Sequence, residues 1–141
     1  MAFYVDTCVY LNLWKREERK GVPFWRIAEG TLALIKARNC LLYSGFVLKE
    51  LKWKMGPVEF ERRRKEFDEP GCTRLNASAK DYAAGRELER TVEFKISFFD
   101  CMHIILARRE GAVLVTRDRA LIDFGRNYCR VVLPEEILIK S

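Results

Sequence analysis

"SFFDCMHIILARREGAVLVT", residues 97–116, sets two kinds of pattern side by side. Its first part is an apolar run that closes on Arg108, Arg109, Glu110 and Gly111, the way a helix with basic residues in its last turn stops at a glycine. The next five residues, Ala112-Val-Leu-Val-Thr116, are short, apolar and without alternation, which is how a strand buried on both faces reads. One residue sits awkwardly. Asp100 stands in the first turn of an otherwise apolar helix. With Ser97 three residues before it, Asp100 fits a capping box, although Asp is a poorer partner there than Glu or Gln. Whether it does more depends on where the other acids fall.

Working outward, the same alternation extends through the chain. Ala2–Asp6, "CLLYSG" at 40–45, Cys72–Leu75 and "CRVVL" at 129–133 read as further strands. Between them helices are predicted at Thr7–Trp14, 23–39 (opened by Pro23), 46–55, 58–67, 78–94 and 97–110, with a turn and short helix at 117–125. Strands alternating with helices predict an α/β fold: a three-layer α/β/α sandwich around a central, mainly parallel sheet. There is no repeat, low-complexity segment or linker, so residues 1–141 are expected to form a single domain.

Composition is consistent with that. At 49% hydrophobic and 33% charged, the chain has enough apolar material for a core and does not resemble a disordered one. A net charge of +6, spread over both halves, permits nucleic-acid binding without demonstrating it. Cys8, Cys40, Cys72, Cys101 and Cys129 are odd in number and never form C-x-x-C, so a zinc site or disulfide framework is not expected and they read as small buried hydrophobes. No signal-peptide pattern and no apolar run near the ~18 residues of a membrane span is present. The expectation is a soluble, cytoplasmic protein with no membrane partner.

In a parallel sheet, ligands bind at the carboxyl ends of the strands. Asp6 directly follows the first strand, Asp118 follows "AVLVT", Glu50 lies in the helix after the second strand, and Asp100 starts the helix before "AVLVT". Each has a plain structural alternative. Asp6 and Asp100 can be helix caps, Glu50 a solvated surface charge, and Asp118 a turn former.

Taken together, "FYVDT", "LKEL", "SFFDCMHIILAR" and "LVTRDRAL", spanning residues 3–121, resemble the PIN domain family, small α/β nucleases of the kind found in VapC-type toxins. The resemblance implies that Asp6, Glu50, Asp100 and Asp118 form the catalytic acid cluster. It implies a Mg2+ or Mn2+ ion, with Asp6 and Asp100 as principal ligands and Asp118 and Glu50 holding a second ion or orienting water. Hard cations of this kind take oxygen ligands, and they lower the pKa of water and offset charge developing on a phosphate. Thr7, Thr116, Lys49, Lys52, Arg117 and Arg119 flank the acids and are the substrate-binding candidates; Lys54 flanks them too. The implied function is metal-dependent hydrolysis of RNA by the toxin of a toxin–antitoxin pair, with a small antitoxin and a homodimer as partners. A housekeeping RNA-processing nuclease and a non-catalytic binding module of the same fold are the alternatives. Cys8 stands where many relatives carry a small polar residue, and Ala120 where many carry a fifth acid. His103, the sole histidine, is read as structural, with a hydrogen bond near the acids. Trp14, Trp25 and Trp53 are read as core or dimer interface rather than base-stacking groups.

Overall fold

The computed structural model describes residues 1–139; residues 140 and 141, the end of the expected domain, lie outside the described residues. Five strands form one all-parallel sheet: β1 (Phe3–Val5), β2 (Leu41–Ser44), β3 (Cys72–Leu75), β4 (Val113–Val115) and β5 (Val131–Val132), in the order β3-β2-β1-β4-β5. The unalternated apolar runs have their physical reason here. Every residue of β2 and β4 is buried, because helices cover both faces of the sheet. The edge strand β3 is exposed at Thr73 and Arg74 and reads more polar.

Helices connect the strands: α1 (Thr7–Trp14), α2 (Phe24–Ala37), α3 (Gly45–Met55), α4 (Pro57–Arg63), α5 (Ala79–Thr91), α6 (Phe98–Arg109), α7 (Arg119–Gly125) and α8 (Pro134–Ile139). α1 and α8 pack on α2, and α5 packs on α6. One core, from Tyr4 and Val5 through Leu41, Leu51, Met102 and Ile104 to Leu114 and Leu121, runs between the sheet and both helical layers.

The structure corrects the sequence reading at four places. The helix expected over 58–67 is α4 followed by a 3-10 helix at Arg64–Asp68. The 78–94 helix stops at Thr91, where Glu93 and Phe94 turn to positive φ. α8 was not foreseen, although Pro134 and the acids Glu135 and Glu136 are helix-start signals; Glu136 accepts from the Leu133 amide at 2.6 Å and ties that turn. Among the five free cysteines only Cys101 is fully buried, the others being half-buried at the margins of the core.

Gly71 marks a tight approach. Its φ is +96°, its carbonyl accepts from the Leu41 amide at the start of β2, and a Cβ there would collide with the backbone carbonyl of Lys36. Gly71→Ala is therefore expected to lower the Tm by about 5–10 °C, corresponding to strain of ~2–3 kcal/mol. Gly21→Ala, at φ +79° but with open space around the Cβ, should lose clearly less in the same melting experiment.

Candidate active site

The central strands β1, β2 and β4 end side by side, and the chain that leaves them builds the site. Asp6 follows β1. Its amide donates to Val115 O of β4 at 2.9 Å, its Oδ1 accepts from the Thr7 amide at 2.8 Å as α1 begins, and its Oδ2 accepts from the Thr116 hydroxyl at 2.8 Å. Thr116 Oγ1 accepts in turn from the Asp118 amide at 3.1 Å, and Asp118 Oδ1 accepts from the Leu121 amide at 3.0 Å as the cap of α7. One buried hydroxyl thus joins the turns that carry two of the acids. Glu50 reaches in from α3, its Oε1 accepting from the Thr7 hydroxyl at 2.9 Å and lying 2.6 Å from His103 Nε2.

Asp100 arrives on the first turn of α6, and its amide donates to Ser97 Oγ at 3.1 Å. That is half a capping box. A complete box forms in α5, where the Ser78 amide donates to Asp81 Oδ2 at 2.8 Å and the Asp81 amide to Ser78 Oγ at 3.2 Å. The returning half does not form at Ser97: among the described residues no protein donor reaches the Asp100 carboxylate. Asp100 is thus not the reciprocal partner in a cap.

The electrostatics follow from the crowding. Burial, and then the charges of Asp6, Glu50 and Asp118, push the Asp100 carboxyl up to about 6, against the opposing charge of His103. Glu50 behaves in the opposite sense. Burial acts to raise it, but the hydrogen bonds from His103 and Thr7 and the charges of His103 and Lys54 hold it below its ordinary value. His103 is fully buried, which opposes its protonation, yet the hydrogen bond to Glu50 and the charges of Asp6, Glu50 and Asp100 raise it above its ordinary value.

The surroundings of His103 fix what it does. Its Nδ1 lies 2.7 Å from the Tyr4 hydroxyl, which is 2.6 Å from Ser44 Oγ; Tyr4 and Ser44 are themselves buried. A chain of four side chains, Ser44–Tyr4–His103–Glu50, therefore crosses the core from the end of β2 to the acids. The structural reading of His103 agrees with this geometry. Asp6, Asp100 and His103 do bring one ligand atom each within 4.8 Å of the others. A contact of 2.6 Å between Nε2 and a carboxylate needs the proton on that nitrogen, however, whereas a metal ligand needs it bare. The carboxylates are the better ligand set, and the donor-free Asp100 beside Asp6 suits a hard divalent cation, whose charge would offset their repulsion.

The flanking candidates separate into two groups. Thr7 and Thr116 are buried, and their hydroxyls donate to Glu50 and Asp6 and orient those acids. Lys49, Lys52 and Arg119 are exposed and hold no ion pair among the described residues. Arg117 departs from expectation: its guanidinium lies 3.9 Å from the Phe24 ring centroid and pairs with Glu135 of α8 at 3.0 Å, so its charge is already neutralised. Cys8 contacts Thr116 Oγ1 at 3.5 Å, and burial with the charge of Asp6 pushes its thiol well up. Tyr4 and Ser44 are the residues the sequence did not disclose; within β1 and β2 they look like ordinary strand positions.

Because Asp100 is held up to about 6 in the folded protein, above the unfolded value, ionising it weakens the fold. Without metal, stability is therefore expected to fall as pH rises from about 4 to about 6. Asp100→Asn should remove that slope. In EDTA it is expected to melt above wild type at pH 7 and near it at pH 4, and an Asn variant that melts far lower at pH 7 would make Asp100 a structural cap.

The PIN domain profile matches residues 3–127. No curated protein matches the chain. Among solved structures, VapBC2 from Rickettsia felis bound to a DNA fragment from its promoter is similar at 21% identity and a TM-score of 0.69, over 94% of this chain and 98% of that one. DNA-bound VapBC from Salmonella typhimurium is similar at 16% identity and 0.66, over 95% and 98%. PAE2754 from Pyrobaculum aerophilum is similar at 19% identity and 0.60, over 99% and 96%. With the profile covering most of the chain and the acids gathered at the carboxyl edge of an all-parallel sheet, the chain belongs to the PIN domain family.

Proposed function

We propose that this chain is a Mg2+- or Mn2+-dependent endoribonuclease, acting as a single domain and as the toxin of a VapBC-type pair. The observation that carries the reading is the Asp100 carboxylate, without a donor among the described residues and crowded by Asp6, Glu50 and Asp118. A reciprocal capping role would have given it a donor, as Asp81 has. Asp6 and Asp100 are the ligands in this reading. A divalent ion bound there supplies a water of lowered pKa and offsets charge on the phosphate. Glu50, held ionised by His103 and Thr7, is placed to accept a proton or orient water. Asp118 stands at the surface end of the cluster for the same work or for a second ion. Lys49, Lys52 and Arg119, exposed and without an ion pair among the described residues, are the cations that would meet the RNA backbone.

The toxin role is supported by the likeness of fold to VapBC2 and VapBC along nearly the whole of those chains. It brings a small antitoxin, which would offer a basic side chain to the acids through charge-assisted hydrogen bonds. A homodimer belongs to the same reading. No described helix is long and apolar enough to cross a membrane, and a cytoplasmic location follows from the toxin reading.

Purified protein is expected to cut RNA with Mg2+ or Mn2+ and to stop in excess EDTA; folded Asp100→Asn should fall to background. Full cleavage in EDTA, or by that variant, would remove the metal mechanism. In cells, the wild-type chain alone should arrest growth and Asp6→Asn should not. Soluble wild-type protein that cuts RNA but leaves growth unaffected would favour a housekeeping nuclease, and one that binds RNA without cutting it would favour a non-catalytic module.

A further inference from the structure

We propose that Trp53, laid on Phe99, is a stacking platform that holds one unpaired base of the RNA beside the acid cluster. This rests on the ribonuclease reading above. Of the two places the sequence suggests for Trp53, core or dimer interface, its exposure of 72% excludes the core. Tryptophan is highly buried on average, so an indole this open stands apart from its type. It is not loose: its ring stacks on Phe99 at 5.2 Å and 24°, and Phe99 rests edge-on against the buried Phe46 at 5.1 Å and 83°. One face of the indole is therefore clamped by a rigid aromatic foundation and the other is open.

Its position follows from sequence neighbours. Trp53 lies one turn after Glu50 on α3, and Phe99 immediately precedes Asp100 on α6, so the two rings bridge the elements that deliver two of the acids. A base on this platform would have its sugar and phosphate next to the cluster.

Charge decides between occupants. Lys49, Lys52 and Lys54 are exposed around Trp53 on the same helix, and Lys49 shares a hollow with Arg74, Phe46 and Tyr82. Two copies of this chain meeting on that face would set these lysines against one another. A polyanion neutralises them, and cations interleaved with open aromatic rings are how single strands are held without sequence readout. Only an unpaired base can lie flat on the ring, since a duplex keeps its bases stacked on each other.

The test uses the full chain with Asp100→Asn, in EDTA, and a labelled oligoadenylate of about twelve nucleotides, single-stranded or paired to its complement. Adding Trp53→Ala should weaken single-strand binding by about 10-fold and leave duplex binding unchanged, while Trp53→Phe should restore most of the loss. In the cleaving protein, Trp53→Ala should raise KM more than it lowers kcat. Unchanged single-strand binding, or equal loss for single strand and duplex, would overturn the platform. So would a wild-type dimer in light scattering that Trp53→Ala dissociates, which would make this face a self-contact. A chain that binds RNA through Trp53 but does not cut fails the nuclease reading alone; one that cuts RNA independently of Trp53 fails this inference alone.

Discussion

The hydrogen bond from the Thr116 hydroxyl to Asp6 Oδ2 ties the turn after β1 to the turn after β4, and the site is organised around it. Both turns leave parallel strands that pair directly, so their ends meet by the geometry of the sheet. The hydroxyl fixes which way the Asp6 carboxylate faces, and because it also accepts from the Asp118 amide, it sets where α7 begins. Without a donor at 116, an acid this buried would have one oxygen unsatisfied in the core, at a cost of about 1–3 kcal/mol.

Around that joint the acids are treated unequally. Asp6 and Glu50 receive donors from Thr7, Thr116 and His103, and at Glu50 the hydrogen bonds from His103 and Thr7 outweigh burial and hold the carboxyl below its ordinary value. Asp100 receives none from the described residues, and burial first, then the charges of Asp6, Glu50 and Asp118, push its carboxyl up. The Ser44–Tyr4–His103 chain extends the same logic inward, anchoring the Glu50 partner to the end of β2 so that the acid cannot swing away toward solvent.

The structural and functional readings of the acids prove not to be rivals. Asp6 starts α1 and Asp118 caps α7 while both sit at the carboxyl edge of the sheet. A helix that begins directly after a strand presents its first amides where a ligand site lies, so a residue placed to cap is also placed to act. Asp100 is the informative exception, since it occupies a capping position without performing the reciprocal half of the cap.

From the sequence alone, the two-sided apolar runs at Phe3–Val5, Leu41–Ser44 and Val113–Val115 determined a covered parallel sheet, because only a strand buried on both faces can dispense with alternation. The places of Asp6 and Asp118 at the sheet edge followed from the strands, Asp6 directly after the first and Asp118 two residues past "AVLVT"; Glu50 and Asp100 were legible only through the pattern of the family. What tertiary structure decided was everything that depends on orientation across the chain. That Arg117 turns to Glu135 and Phe24, that Trp53 stays in solvent on Phe99, and that Tyr4 joins Ser44 to His103 are outcomes of pairs between 18 and 99 residues apart, or of which side of a helix finds cover. Local propensity carries no record of such pairs, because the same strand tyrosine or helical tryptophan satisfies its own backbone equally well wherever its side chain ends.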